Sequence, residues 1–162
     1  MSLTAAVLTL SDKASEGLRQ DESGPLVARL LREALAAEVK TLQVLPDDRE
    51  AIREWLLRES QQVDLIVTTG GTGPSPRDVT PEATMDVLER TLPGLAEAMR
   101  AEGLRKTPRA MLSRAVAGIR GQCLILNLPG SPRAAQEALE AVLEVLPHAV
   151  EKIKGSSKEC AS

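Results

Sequence analysis

Aromatic residues are almost absent from this chain of 162 residues, which has one Trp and neither Tyr nor Phe. Its core must therefore be aliphatic, and proteins that stack nucleic-acid bases or a flat cofactor ring on aromatic side chains are disfavoured. An excess of positive charge is also missing, because 20 basic and 23 acidic residues give a formal net charge of -3. A nucleic-acid-binding protein would normally carry a basic face.

Cysteines and long apolar runs are equally scarce. The two cysteines, Cys123 and Cys160, form neither a zinc-binding spacing nor a disulfide framework. No apolar run is long enough to cross a bilayer, and the first residues lack the positive charge of a signal peptide. We therefore expect a cytoplasmic protein that binds neither nucleic acid nor membrane.

Short apolar runs alternate along the chain with apolar residues at helical spacing. The predicted strands are Ala5 to Leu10, Val39 to Leu45, Asp64 to Thr69 and Gln122 to Leu128. The helical patterns lie within residues 26–35, 52–56, 85–88, 95–103 and 139–146, and the last of them is expected to be one long helix. This alternation predicts an α/β fold of three layers, in which a mostly parallel sheet has helices on both faces. We expect a single domain over residues 1–154 and a polar tail over residues 155–162.

Ligands of parallel α/β folds bind beyond the carboxyl ends of the strands, in the loops that lead into helices. Four predicted loops lie at that edge and hold most of the polar candidates. They are Ser11-Asp12, Pro46-Asp47-Asp48, Gly70 to Asp78, and Pro129-Gly130-Ser131.

The glycine-rich loop, Gly70-Gly71-Thr72-Gly73, follows the third strand. Glycine lets backbone N–H groups approach a bound oxyanion, so the loop predicts a phosphate cradle. It matches neither a P-loop nor a dinucleotide-binding fingerprint, and a tight strand-to-helix turn would also need glycines. Thr80, followed by Pro81, predicts the N-cap of the next helix.

Two carboxylates, Asp47 and Asp78, end neighbouring strand-to-helix loops and could together hold a magnesium ion or act as a base. Each has a purely structural alternative. Asp78 could fix its loop as an Asx-turn. Asp47 has Glu50 three residues later, which is the spacing of a capping box.

Ser131 precedes Pro132 and predicts a helix N-cap, which could also bind an anion at the active edge. Six basic residues lie between Arg100 and Arg120 and could hold a substrate phosphate, although a solvated face explains most of them. His148 and the two cysteines carry no sign of a catalytic role.

Five segments of the chain resemble the molybdopterin adenylyltransferase family, the MogA-type enzymes of molybdenum cofactor biosynthesis. The most specific is TTGGTGPSPRDVTPEAT, from Thr68 to Thr84. The others are Leu10 to Ser15 with Gln20-Asp21, Leu45-Pro46-Asp47, Leu112 to Val116, and Leu126 to Ser131. The resemblance extends from about Thr4 to about Lys154.

This resemblance implies a MogA/MoaB-like fold, a homotrimer, and transfer of AMP from Mg-ATP to the phosphate of molybdopterin with release of pyrophosphate. The family's two functional aspartates fall on Asp47 and Asp78, which would also hold Mg²⁺. The substrate-binding candidates that it implies are Gly70, Gly71, Thr72, Gly73, Ser11, Asp12, Thr80, Pro129, Gly130 and Ser131. A transient contact with a molybdenum insertase is a further implication.

Two other functions stay open. A sister group of MoaB-type proteins shares the fold and the glycine loop, so the alternative is a molybdopterin-binding protein without catalytic turnover. The presence of both Asp47 and Asp78 argues against it. A flavodoxin-like electron carrier is compatible with the fold alone, but the lack of Phe and Tyr to stack a flavin argues against that function.

Overall fold

A six-stranded β-sheet runs through the centre of the protein, of which the computed structural model describes residues 2–157. The strands are β1 (Thr4–Leu10), β2 (Glu38–Leu45), β3 (Leu65–Thr69), β4 (Arg90–Thr91), β5 (Ala117–Arg120) and β6 (Cys123–Leu128). The helices are α1 (Asp12–Ser15), α2 (Ser23–Leu35), α3 (Arg49–Glu59), α4 (Thr80–Val87), α5 (Pro93–Lys106), α6 (Pro132–Val142) and α7 (Leu146–Ile153). Two 3-10 helices cover Pro108–Leu112 and Leu143–Val145.

The strand order is β2-β1-β3-β6-β5-β4, and the first four strands in that order are parallel. β5 pairs antiparallel with β6, and β4 pairs antiparallel with β5. In the parallel part, Thr9 lies beside Thr69, which lies beside Leu128. The carboxyl ends of β1, β3 and β6 are therefore level, and the loops that follow them meet at one edge of the sheet.

Helices cover both faces of the sheet, so the predicted three-layer α/β fold is confirmed. α2, α5, α6 and α7 pack on one face, around alternate strand residues such as Val67 and Leu126. α3 and α4 pack on the other face, around Ile66 and Ile125, and this core includes Trp55. β3 and β6 are buried throughout, because both of their faces are covered, which explains their continuous apolar sequences.

The edge strand β2 has exposed residues along its length, as its alternating sequence predicts. Three features differ from the prediction. The polar loop after β1 contains the single turn α1, and the part of the chain before β6 contributes the antiparallel strands β4 and β5. The predicted final long helix is two helices, α6 and α7, joined by a 3-10 turn. Pro147 explains the break, because proline cannot donate the helical hydrogen bond and is accepted in the first turn of a new helix.

Cys123 is buried in β6, and burial raises the pKa of its thiol to about 12, so it is not a reactive nucleophile. Cys160 and the end of the predicted tail lie outside the described residues. Within residues 2–157, no helix combines the length and the apolar character needed to span a membrane.

Candidate functional site

The four predicted loops meet at the carboxyl edge of the sheet, where they enclose a polar cavity of about 570 Å³. Seven of the predicted site residues line this polar cavity: Ser11, Asp47, Gly70, Gly71, Asp78, Gly130 and Ser131. The structure therefore brings together both candidate aspartates and half of the glycine loop.

The glycine loop needs glycine at two positions because of its backbone and its close neighbours. Gly70 and Gly71 have φ angles of 94° and 68°, in the left-handed region. A Cβ on Gly70 would collide with the carbonyl oxygen of Leu10, and a Cβ on Gly71 would lie 3.0 Å from Oδ1 of Asp47. The same residues thus form a tight turn and leave the backbone open to the cavity, so the two interpretations are compatible.

Thr80 holds the glycine loop through hydrogen bonds and does not line the polar cavity. Its buried hydroxyl donates a hydrogen bond to the carbonyl of Gly70 at 2.9 Å, and its N–H donates to the carbonyl of Gly71 at 3.1 Å. The predicted N-cap role of Thr80 is wrong: the residue before α4 is Val79, and no side chain caps this helix.

Asp47 and Asp12 are joined by a pair of reciprocal hydrogen bonds between the loops after β1 and β2. The Asp12 N–H donates to Oδ2 of Asp47 at 3.2 Å, and the Asp47 N–H donates to Oδ1 of Asp12 at 2.9 Å. The other oxygen of Asp47, Oδ1, is buried and has no hydrogen-bond partner among the described residues. A buried carboxylate oxygen without a donor is costly, and a bound cation or donor at this position would offset that cost.

The capping alternative for Asp47 is wrong, because the neighbouring residue does the capping. Oδ1 of Asp48 accepts a hydrogen bond from the N–H of Ala51 at 2.9 Å and caps α3. Asp47 is thereby left to face the cavity.

The carboxylates at this edge differ in their acidity. Burial raises the pKa of Asp47, and the negative charges of Asp12 and Asp78 raise it further. The hydrogen bond from the Asp47 N–H, together with Arg77, lowers the pKa of Asp12. The Arg77 guanidinium binds both Asp12 oxygens, with two contacts of 2.9 Å. Asp12 is therefore an ionised partner of Arg77 and holds Asp47 in place, and it does not line the polar cavity.

Asp78 fixes its loop through Ser75, not through an Asx-turn to Thr80, and it also lines the polar cavity. Its Oδ2 accepts a hydrogen bond from the N–H of Ser75 at 3.1 Å, and its own N–H donates to the Ser75 carbonyl at 2.9 Å. These contacts fix the turn. Among the described residues no hydrogen bond to Oδ1 is found, and Asp78 lines the cavity with Asp47.

Arg114 binds the second half of the glycine loop and the residues that follow it, and the sequence analysis missed this role. Its guanidinium donates to the carbonyls of Gly73 and Asp78, each at 2.9 Å, and pairs with Glu82. Its N–H donates to the carbonyl of Thr72 at 2.8 Å. Only its place in the Leu112 to Val116 segment could have indicated it, because these partners are 32 to 42 positions away along the chain.

A second cavity, of about 330 Å³, lies beside the second half of the glycine loop. Thr72, Gly73 and Pro129 line it, and Ser131 lines both cavities. Its walls are mainly apolar and come from α5, α6 and the 3-10 helix after α5, with Ala96, Met99, Leu112 and Ala138 among them. The two cavities thus offer a polar and an apolar compartment, each beside one half of the same loop.

Ser131 has its predicted place at the start of α6, where its hydroxyl accepts a hydrogen bond from the N–H of Ala134 at 3.2 Å. Ser11 caps α1 in the same way, at 3.1 Å from the N–H of Ala14. In the basic stretch, Arg100 lines the apolar cavity and donates to the carbonyls of Ser113 and Ala115.

Three comparisons with known proteins show the family and the fold of the chain. The family described as "Probable molybdopterin binding domain" matches residues 6–148. The chain belongs to this family. It is 44% identical over 153 residues to a molybdopterin adenylyltransferase of Helicobacter pylori, with 93% of this chain and 87% of the relative covered. It is 43% identical over 145 residues to the molybdopterin adenylyltransferase of Escherichia coli, with 87% and 74% covered.

A solved structure of the molybdopterin biosynthesis enzyme MoaB from Thermus thermophilus has the same fold. It is 50% identical to this chain, the TM-score is 0.89, and 95% of this chain and 98% of that chain are covered. The predicted family and fold are confirmed.

The carboxylates of this site suit a metal ion that takes its remaining ligands from a bound substrate. No group of three or more His, Cys, Asp or Glu side chains able to hold a metal ion is found in residues 2–157. Asp47 and Asp78 offer two carboxylates, one of them with a buried free oxygen. Mg²⁺ is usually bound by one or two carboxylates together with substrate phosphates, so these residues fit Mg²⁺.

Proposed function

We propose that the protein is a molybdopterin adenylyltransferase, which transfers AMP from ATP to the phosphate of molybdopterin and releases pyrophosphate. Two relatives named for this activity, at 44% and 43% identity, support the proposal. The observation that carries it is the free, buried Oδ1 of Asp47, which lies beside Gly71 and shares the polar cavity with Asp78.

The reaction brings together two highly charged anions, so the site must stabilise negative charge at the transferred phosphorus. No covalent nucleophile is needed, because the molybdopterin phosphate attacks the α-phosphorus of ATP. We assign Asp47 and Asp78 to the binding of Mg²⁺, which would neutralise charge on the phosphates when bound. Gly70 and Gly71 let the backbone approach those phosphates.

The two cavities suggest how the substrates are accommodated. The polar cavity, with its carboxylates and glycine backbone, suits the phosphates and their metal. The apolar cavity is lined by aliphatic side chains of α5 and α6 and suits a heteroaromatic ring. Ser131 lies where the two cavities meet, so phosphates on one side and a ring on the other would both contact the start of α6.

The family resemblance also supports proposals on the oligomeric state, the cellular compartment and a protein partner. We propose a homotrimer in the cytoplasm that makes a transient contact with a molybdenum insertase. Light scattering on the purified protein would test the trimer, and a monomer at micromolar concentration would contradict it.

The decisive experiment is an adenylyl-transfer assay with ATP labelled on the α-phosphate, molybdopterin and Mg²⁺. The wild-type protein should move label to molybdopterin, and Asp78→Asn should lose most of that activity while keeping its fold. Asp48→Asn is the matched control, since Asp48 is the neighbour of Asp47 but only caps α3, a role that Asn also fills.

Tight molybdopterin binding without label transfer would contradict the proposal and would favour the MoaB-type binding protein. A wild-type rate in Asp78→Asn would remove Asp78 from the reaction.

A further inference from the structure

The polar cavity has many acidic side chains and a single basic one. Four carboxylates line it, and Arg19 is the one Lys or Arg found among its lining residues in the described part of the chain. The carboxylates are Asp21, Glu22, Asp47 and Asp78. If Mg²⁺ is held by Asp47 and Asp78, two further carboxylates still line the cavity that the phosphates would enter, and a cation at this wall would reduce the repulsion.

Three other arginines near the glycine loop already have partners, whereas Arg109 lines the apolar cavity and not the polar one. Arg77 binds both oxygens of Asp12, Arg114 binds Glu82 and two loop carbonyls, and Arg100 binds two carbonyls. A bidentate pair such as Arg77 with Asp12 would have to break before its guanidinium could turn to a phosphate. For the Arg19 guanidinium, by contrast, residues 2–157 provide neither an ion pair nor a hydrogen bond.

Arg19 lies in an exposed segment, residues 16–20, and the chain is anchored on both sides of Arg19. Immediately before Arg19, the N–H of Leu18 donates to the carbonyl of Lys13 at 2.9 Å. Two residues after Arg19, Asp21 accepts hydrogen bonds from the Thr9 hydroxyl at 2.9 Å and from a backbone N–H of α2 at 3.0 Å. Arg19 can therefore change its direction without disturbing the anchors.

Asp21 lies two residues after Arg19, and both of its carboxylate oxygens accept hydrogen bonds. One bond comes from the Thr9 hydroxyl and the other from the N–H of Gly24. Asp21 is thus held as part of the start of α2 and does not draw the Arg19 guanidinium out of the cavity. An arginine presents a planar fork that matches phosphate oxygens, and a partner-free arginine does not have to give up another contact to bind them.

We propose that Arg19 binds a phosphate group of a substrate in the polar cavity and thereby sets the affinity for that substrate. This inference rests on the proposed adenylyl transfer. The phosphate belongs either to ATP or to molybdopterin, and the chemistry of recognition is the same for both. Arg19 is a substrate-binding residue and takes no proton or leaving group.

The test compares Arg19→Ala and Arg19→Lys with the control Arg32→Ala. Arg32 is an exposed arginine of α2 that lines neither cavity. KM and kcat are measured for ATP and for molybdopterin separately, and binding of Mg-pyrophosphate is measured by calorimetry, which needs no turnover. Losing a charge-assisted hydrogen bond should raise one KM about 10-fold in Arg19→Ala, with a smaller change in kcat.

The pattern of the two KM values identifies the phosphate. A raised KM for ATP and weaker pyrophosphate binding would place Arg19 on the triphosphate, and a raised KM for molybdopterin alone would place it on the acceptor phosphate. Arg19→Lys should recover part of the affinity, since it keeps the charge but not the planar fork.

Failure of this inference can be distinguished from failure of the proposed function. Arg19 is excluded if the wild-type protein transfers AMP and Arg19→Ala matches Arg32→Ala in both KM values and in pyrophosphate binding. If the wild-type protein transfers nothing, the proposed function fails, and a loss of pyrophosphate binding in Arg19→Ala alone would still support Arg19 as the phosphate-binding residue. Equal binding of pyrophosphate and of molybdopterin by all the variants would then overturn the inference as well.

Discussion

Asp64 at the amino end of the sheet and Asp47 at the carboxyl end are partly buried carboxylates with opposite surroundings. Oδ2 of Asp64 accepts hydrogen bonds from the N–H and hydroxyl of Thr4, at 3.0 and 3.1 Å, and Oδ1 pairs with Lys154. Asp47 has one donor for Oδ2 and, among the described residues, none for its buried Oδ1. Both oxygens of Asp64 therefore have partners, whereas one oxygen of Asp47 has none among the described residues.

The pKa values of the two groups move in opposite directions. Burial alone would raise the pKa of Asp64, but the hydrogen bonds from Lys154 and Thr4 outweigh burial and lower it. Burial raises the pKa of Asp47, and the hydrogen bond from Asp12 does not compensate. The comparison teaches that donors and a nearby cation offset burial at Asp64, whereas at Asp47 burial and the negative charges of Asp12 and Asp78 prevail.

The largest effect that tests this comparison is on turnover. Asp47→Asn should lower the rate of adenylyl transfer by about 10²–10³-fold, since the amide removes a charge that acts on the reacting phosphates. Asp64→Asn should keep a rate close to wild type, because Asp64 lies at the opposite edge of the sheet. Both rates are measured at saturating substrates, after cooperative unfolding has been verified. Equal losses in the two variants would contradict the comparison.

A substitution at the neighbouring Gly71 can also block the free oxygen of Asp47. Gly71→Ala places a methyl group against Oδ1 of Asp47 and the hydroxyl of Thr80, at a backbone φ of 68°. Left-handed strain and overpacking together should cost about 2–4 kcal/mol in the free energy of unfolding. The transfer rate should fall at least about 10-fold, because the loop must shift away from the phosphates.

Gly121→Ala is the matched control for Gly71→Ala. Gly121 has a φ of 56°, and no atom lies within 4 Å of an added Cβ. It should therefore show only the backbone cost of about 1–2 kcal/mol, with an unchanged rate. If both variants lost stability and rate equally, crowding at Asp47 would not be the cause.

Much of the carboxyl edge could be predicted from the sequence. The four apolar runs are strands that lie side by side in the sheet, and parallel strands place their following loops at one edge. That reasoning was sufficient to bring Asp47, Asp78 and the glycine loop into one site. The family and fold followed from a long, specific motif, and the comparisons confirm both.

Other features depend on contacts that no local pattern encodes. β4 has two residues, and β5 has four, one of them Gly118, so neither gives a clear alternating pattern. Arg77 and Asp12 are 65 positions apart along the chain, and their pairing appears only when the sheet is assembled. Thr80 has the sequence of an N-cap, but its hydroxyl is taken by Gly70.

The structural role of Asp64 is tested by the free energy of unfolding. Asp64→Asn should lower the free energy of unfolding by about 1–3 kcal/mol at neutral pH, the usual cost of disturbing a buried, charge-assisted hydrogen-bond set. Asp86→Asn is the control: it weakens the exposed pair of Asp86 with Arg49 and should cost less than about 1 kcal/mol. Chemical denaturation measures both, and a larger loss in the control would contradict the role given to Asp64.

The difference between wild type and Asp64→Asn should also depend on pH. Because the pKa of Asp64 is lowered in the folded state, its contribution is complete above the pKa of the unfolded chain. It is lost as the pH falls through the lowered folded value, and the two stability curves should then converge. Curves that stay parallel down to acid unfolding would exclude this linkage.

The smallest expected effect has the opposite sign and belongs to Asp47. A carboxyl whose pKa is raised by folding destabilises the fold whenever it is ionised, so Asp47→Asn should gain up to about 1 kcal/mol of stability at neutral pH, after allowance for solvent screening. The gain should vanish as the pH falls below the unfolded pKa, where the carboxyl is protonated in both states. Denaturation at several pH values without ligand measures it. A loss of stability as large as that of Asp64→Asn would show that Asp47 is also held for structural reasons, and the contrast between the two ends of the sheet would fail.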